Sequence, residues 1–424
     1  MDLRRVFYGL SAALVNGEIK RSQRATIPLM VSAFVLCVFF IFEAAAQPTL
    51  SPDFDEIVEQ GRDEWGVPGL FVSIVKDDEV VLAKGYGARR AGRSEKVDKR
   101  TLFSIGSTSK AFAAATVAVL VDDGAVGWDD PVRQHMSWFE LYDPIVTEQF
   151  TIRDMLSGTL GASFADENKL RPSSLDSRDI LDKGKAIAPR ASFRSGFVYS
   201  NNMFIASGLL VEEVSGTTWE QFAKERLWDP LGMASTNASD ELALASGNAA
   251  FGHTGALGSP PEAQPFKYCD DVCVPSGGVN SNAADIARWL RFQLADGSID
   301  NRQIIGSDAF EPMHRPQSIM RPVEDALSVY TPFPNKDLER WGVSSPAYGF
   351  GWGMFDYREQ RVLWHSGGAN NTSSIAILVP GENLGIFISA NRLRTRLPQI
   401  LALGVLDDYL GGRVEDWAQH FQSK

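Results

Sequence analysis

The sequence predicts an α+β protein: one antiparallel sheet built from strands at both ends of the chain, with flanking helices and an inserted, mainly helical lobe. Three observations lead there. Short apolar runs bounded by turn residues occur near residue 70 and again after residue 360. The middle of the chain carries helical patterns broken by loops rich in Gly, Pro and Asn. Terminal strands that flank a helical insert close most simply as one sheet, with a cleft between sheet and insert.

The elements follow in chain order. Phe54 to Trp65 is helix-like, and Gly69 to Val75 reads as a strand. Lys76-Asp77-Asp78-Glu79 makes a polar turn that returns Val80 to Ala83 as its hairpin partner. Phe103-Ser104-Ile105-Gly106-Ser107-Thr108-Ser109-Lys110 leads into the Ala-rich run Ala111 to Val121, with Ser and Thr as helix-start chemistry and Gly124 as the stop. Helical patterns recur at Trp219 to Leu227 and Ala283 to Ala295. Strands return at Arg361 to His365, Ser374 to Val379 and Leu384 to Ser389, the last two joined by the turn Pro380-Gly381-Glu382-Asn383. Gln399 to Leu410 closes the chain as a helix. The lobes divide at about 51–130 with 344–417 for the sheet part and about 131–343 for the helical part.

Composition narrows the class of partner. The chain has 424 residues, enough for one large two-part unit or two ordinary domains. It is 44% hydrophobic and 22% charged, a globular balance. Lys+Arg minus Asp+Glu is 41 − 53 = −12, and an acidic surface argues against a nucleic-acid partner.

Residues 1–46 read as an export signal. Ile27 to Phe42 is a charge-free apolar run behind Arg4, Arg5, Lys20, Arg21 and Arg24, and Ala44-Ala45-Ala46 offers the small residues that a signal peptidase cuts. The long basic n-region supports a second reading, an uncleaved membrane tether through residues 27–46. Either way residues 47–424 are expected outside the cytoplasm, periplasmic or secreted. Cys37 falls in the leader. In an oxidising compartment Cys269 and Cys273 either close a small ring or remain two thiols. The five His are scattered, so neither a metal site nor an organic cofactor is expected.

Chemistry concentrates in three short patterns. Of two Ser-x-x-Lys pairs, Ser73 and Lys76 lie on a strand an odd number of residues apart, so their side chains face apart. Ser107 and Lys110 sit at a helix start, where three-residue spacing puts both on one face. A Lys beside a Ser hydroxyl can take its proton once burial or a second cation favours the neutral amine. The exposed first-turn N–H of Ser107 can help hold an oxyanion. Tyr199-Ser200-Asn201 and His365-Ser366-Gly367-Gly368 follow at long spacings. Read singly, Tyr199, Asn201 and His365 would pass for a core tyrosine, a turn residue and a strand histidine.

The order Ser-x-x-Lys, Tyr-x-Asn, His-x-Gly resembles the class C β-lactamase and D,D-peptidase superfamily of serine hydrolases, over about residues 51 to 417. Trp128 to Val132, Pro275 to Val279 and Tyr348 to Gly353 are similar to that family too. The resemblance implies a β-lactamase/transpeptidase-like fold and an exported hydrolase that works through an acyl-enzyme on a small ester, amide or peptide substrate. Ser107 would be the nucleophile, Lys110 its proton partner, and Tyr199 would share the acid–base work. Asn201, His365, Gly367 and Gly368 would bind substrate, with the N–H groups of Ser107 and Gly368 forming the oxyanion hole.

Two departures matter. Where β-lactamases carry the Lys of a Lys-Thr-Gly motif, this chain has His365, mostly neutral near pH 7 and expected to offer one ring donor. That favours esters, lactones and peptides over substrates ending in a carboxylate, and its protonation should show in the pH–rate profile. A D,D-carboxypeptidase or weak β-lactamase is the alternative, and a non-catalytic binding or scaffold protein is the rival of another class. Leu156 to Gly161 also replaces the family's His-Thr-Ser-Gly run.

Overall fold

The computed structural model describes residues 49–162, 176–267, 274–320, 332–333, 341–411 and 416–422. The leader and the Cys269/Cys273 pair lie outside them. Residues 50–424 form one unit.

Its centre is an eight-stranded antiparallel sheet. Helix α1 (Phe54–Glu64) precedes β1 (Gly69–Lys76) and β2 (Glu79–Gly87), a hairpin turned by Asp77 and Asp78 at φ of 53° and 66°. Asp tolerates this left-handed region, and two such residues match the strand twist. Helices α2 (Ser109–Asp122), α3 (Asn202–Ser215) and α4 (Ala283–Leu294) belong to the middle of the chain. Strands β3 (Ser318–Ile319), β4 (Ser344–Tyr348), β5 (Gly353–Tyr357), β6 (Gln360–Gly367), β7 (Ser373–Val379) and β8 (Leu384–Ala390) then lead to helix α5 (Leu397–Leu410). The sheet order is β2-β1-β8-β7-β6-β5-β4-β3, so the first and last strands pair directly, one strand in from the β2 edge, with Leu70 opposite Ala390.

That is the expected closure, with three strands more than the sequence patterns indicated. β3 has two residues, and the β5–β6 hairpin turns on Arg358 and Glu359 at φ of 50° and 64°, residues without turn chemistry in their side chains. Every residue of β7 and β8 is buried, which requires cover on both faces of the sheet. Helix α4 provides part of it, with Ser73 Oγ donating to the Ala283 carbonyl at 3.1 Å. Lys76 turns instead to Asp77 at 2.8 Å, so the Ser73/Lys76 pair faces apart as read from its spacing.

Helix α2 is buried almost all round, which its Ala-rich composition permits because small side chains let neighbours approach from every side. Gly124 at φ 70° ends it, as expected, its N–H returning to the Val121 carbonyl.

Candidate active site

The segment before α2 is clamped from two sides. Phe103 and Ser104 pair with Ser281 and Asn280, and the Ile105 N–H donates to the Val279 carbonyl. From the sheet, Thr372 Oγ1 donates to the Ser104 carbonyl at 2.6 Å and Ser374 Oγ to that of Ile105 at 2.7 Å. Gly106 has φ 59°, and a methyl there would lie 2.4 Å from the Gly368 nitrogen. Only glycine fits this approach. Ser107 follows, half-buried in a single 3₁₀ turn ahead of α2. A methyl on Gly367 would fall 3.1 Å from the Ser107 nitrogen, so the end of β6 lies against the turn that carries Ser107.

One helical turn later Lys110 is completely buried. Its Nζ donates to Asn201 Oδ1 at 2.7 Å and to the Ser276 carbonyl at 2.6 Å. It also lies 4.9 Å from the centre of the Tyr199 ring and 5.3 Å from that of Phe204. Two carbonyl oxygens and two aromatic rings thus lie beside its Nζ. Tyr199 is 6% exposed, and Asn201 sits at the N-terminus of α3. The loop through Gly351 presses on the other side of α2, where a methyl would lie 2.7 Å from the Lys110 carbonyl.

His365 differs from expectation. Its Nδ1 is 2.7 Å from the Ser366 carbonyl oxygen, which can only accept, so Nδ1 carries the proton. Nε2 is then the acceptor, 3.3 Å from the Tyr348 hydroxyl. The ring's one donor is therefore used inside the protein, and none is left for substrate. Burial, reinforced by the Lys110 charge and opposed by the bond to Ser366, brings its pKa down to about 3. The ring stays neutral across the neutral pH range and cannot supply the signature expected in a pH–rate profile. It lies 6.1 Å from the Tyr199 ring, centre to centre.

Ser107, Lys110, Tyr199, Asn201, His365, Gly367 and Gly368 thus converge where α2, α3 and β6 begin or end. Sequence reasoning assigned no role to Tyr348 or Ser276. Both lie in segments quoted above, but one acts across strands and the other through a main-chain carbonyl, which no side-chain pattern reveals. Within the Leu156 to Gly161 run, the Gly158 carbonyl, in a residue at φ 69°, accepts from the Val198 N–H at 2.8 Å, and a methyl on Gly158 would meet the Phe197 ring at 2.6 Å. Among the described residues, no group of three His, Cys, Asp or Glu could hold a metal ion.

The Beta-lactamase family model matches residues 54–407. The chain belongs to the β-lactamase family. Within it, the chain is similar to the "Unguisins hydrolase ungD'" of Aspergillus campestris, 31% identical across 81% of this chain and 62% of that one. It is also similar to "Protein flp" of Staphylococcus aureus, 25% identical across 82% of this chain and 64% of that one. The chain therefore spans less than two thirds of the length of these two relatives. Among solved structures, the octameric penicillin-binding protein homologue from Pyrococcus abyssi superposes with a TM-score of 0.71 at 22% identity, over 86% of this chain and 78% of that one. The class C β-lactamase from Rhodobacter sphaeroides gives 0.65 at 17%, over 85% of this chain and all of that one. EstCE1, titled "a hydrolase with promiscuous acyltransferase activity", gives 0.68 at 17%, over 84% and 97%. These structures share the β-lactamase fold that the sequence motifs implied.

Proposed function

We propose that this β-lactamase-family protein is a serine hydrolase that cleaves esters or uncharged amide and peptide bonds through an acyl-enzyme on Ser107. The observation that carries the reading is the buried amine of Lys110, held between Asn201 and the Ser276 carbonyl, one turn after a serine whose backbone abuts Gly367 and Gly368. Removal from water penalises an ammonium more than an amine, and proton acceptance requires the amine. Ser107 Oγ attacks the substrate carbonyl while Lys110 and Tyr199 take its proton. The N–H groups of Ser107 and Gly368 hold the oxyanion, and the leaving oxygen or nitrogen departs with the proton. Water then repeats the sequence on the acyl-enzyme and frees the acid.

The neutral, internally bonded His365 supports esters and uncharged amides over D-Ala-terminated peptides and β-lactams, because the cation that would meet a carboxylate at that position is missing. The names of the fungal relative and of EstCE1 agree with hydrolysis. The test is intact-protein mass after a fluorophosphonate probe: wild type gains one adduct and Ser107→Ala none. Equal labelling of the two would overturn the assignment, and an unlabelled wild type inert toward p-nitrophenyl esters would favour a scaffold role.

We also propose export, on the apolar run of residues 27–42 behind its basic flank. Cell fractionation tests it, and activity confined to the cytoplasm refutes it. Retention in the membrane fraction would identify the tether in place of the cleaved signal.

A further inference from the structure

Directly after β8 the chain reads Asn391-Arg392-Leu393-Arg394-Thr395, and Arg392 is 2% exposed. Its guanidinium donates to five main-chain carbonyls, those of Trp65, Gly66, Gly255, Ala256 and Ser259. No carboxylate pairs with it among the described residues, and burial alone works against its charge. A carbonyl cage offsets that cost only in part, so an anion brought alongside would be stabilised.

A cavity of about 650 Å³ opens beside it, lined by Trp65, Thr254, Leu257, Arg392, Arg394 and Thr395. Arg394 is exposed at a left-handed φ of 59° and makes no ion pair among the described residues. In a chain of net charge −12 this is a local positive concavity, and a concave low-dielectric wall concentrates the field. Leu393 stands between it and the reaction centre: it lines the cavity, and its Cδ1 lies 3.6 Å from where a methyl on Gly368 would sit.

We infer that this cavity receives a carboxylate carried by the substrate at the end remote from the bond that is cleaved. The inference rests on the serine-hydrolase reading for placing the scissile carbonyl at Gly368. Arg392 supplies field rather than contact, because its carbonyl partners already take up its terminal N–H groups. Arg394 supplies the planar fork, and Thr254 and Thr395 line the same cavity. One free fork matches one carboxylate edge, whereas a phosphate, with more oxygens and more charge, asks for more donors. The neutral surroundings of His365 and this cationic cavity then divide the substrate: an uncharged reacting end and an acidic far end.

Binding is read on Ser107→Ala protein, so the result stands whether or not Ser107 is the nucleophile. Isothermal titration with glutarate, its neutral analogue glutaramide, and inorganic phosphate is expected to show glutarate as the tightest of the three. Adding Arg394→Gln is expected to weaken glutarate about fivefold, the scale of one partly screened charge contact, with the thermal melt showing that the variant is folded. Glutarate binding no better than glutaramide, phosphate binding more tightly, or unchanged binding in Arg394→Gln would each overturn the proposal. In protein with Ser107 intact, the kcat/KM ratio of an ester ending in a carboxylate to the same ester ending in an amide should fall about fivefold with Arg394→Gln. An unchanged ratio would sever the cavity from the reaction.

Discussion

The ring of His365 should make the protein sensitive to acid in a calculable way. Its pKa falls from an ordinary 6.5 to about 3 in the fold, chiefly through burial. A histidine with a depressed folded pKa contributes its full share of stability above the unfolded value. That share is lost progressively as pH falls from 6.5 toward 3, because the unfolded chain takes up the proton first. Each unit is worth about 1.4 kcal/mol. Between about pH 7.5 and 4.5 roughly two of the units come into play, which costs about 3 kcal/mol, and the full loss nearer pH 3 approaches about 5 kcal/mol. His314, also buried and also near 3, adds a parallel loss, as do any carboxylates with lowered values. The comparison that isolates His365 is therefore wild type against His365→Gln, with guanidinium unfolding followed at both pH values. The variant should lose about 3 kcal/mol less than wild type over that interval. In parallel, the His365 Cε1 proton resonance should not move between about pH 8 and 4.5. Identical pH dependence in the two proteins, or a ring that titrates near 6.5, would mean that water reaches His365 and that the internal bonding described for it is wrong.

Other perturbations probe the same centre. Lys110→Ala should lower ester turnover by about 10²–10⁴-fold, and Lys110→Arg should be equally impaired because a guanidinium cannot accept the serine proton; an active Lys110→Arg in steady-state assays would reduce Lys110 to an electrostatic part. Gly106→Ala forces a left-handed alanine against Gly368 and should cost about 1–3 kcal/mol in thermal unfolding together with most of the activity; an unaffected variant would show that the two segments are not in contact. His365→Lys should raise the ratio of nitrocefin to neutral-ester kcat/KM about fivefold, since it restores a cation where a β-lactam carboxylate would lie. A ratio that stays put in that variant would place selectivity elsewhere in the cleft.

How much of this was legible depends on where each signal resides. Ser107 and Lys110 announce themselves because one helical turn brings both into a short pattern, and β1, β7 and β8 because their apolar runs are continuous. β5 was missed because its hairpin turns on Arg358 and Glu359, which enter the left-handed region under tertiary constraint rather than by propensity. β3, with two residues, is too short to carry a period. The part played by Ser276 is a property of its carbonyl, and the direction in which His365 donates depends on Ser366 and Tyr348 together. A motif names the residue at a site; the proton on its ring is assigned by neighbours that only the fold supplies.

The seam between β1 and β8 has a consequence for the life of the chain. Strand partners more than 300 residues apart, Leu70 and Ala390 among them, meet only after nearly all of the polypeptide exists. The same holds for the cradle of Ser107, whose flanking carbonyls are held by Thr372 and Ser374. A fragment that stops before β6 carries Ser107, Lys110 and Tyr199 and still lacks Gly367, Gly368 and the strands β6, β7 and β8. Premature termination or loss of the last strands should thus yield inert, protease-sensitive protein instead of a weakened hydrolase, while a single cut in the loops of the helical insert leaves the seam intact. The approach of the Ser107 turn to Gly367 and Gly368 therefore waits on the C-terminal part of the chain.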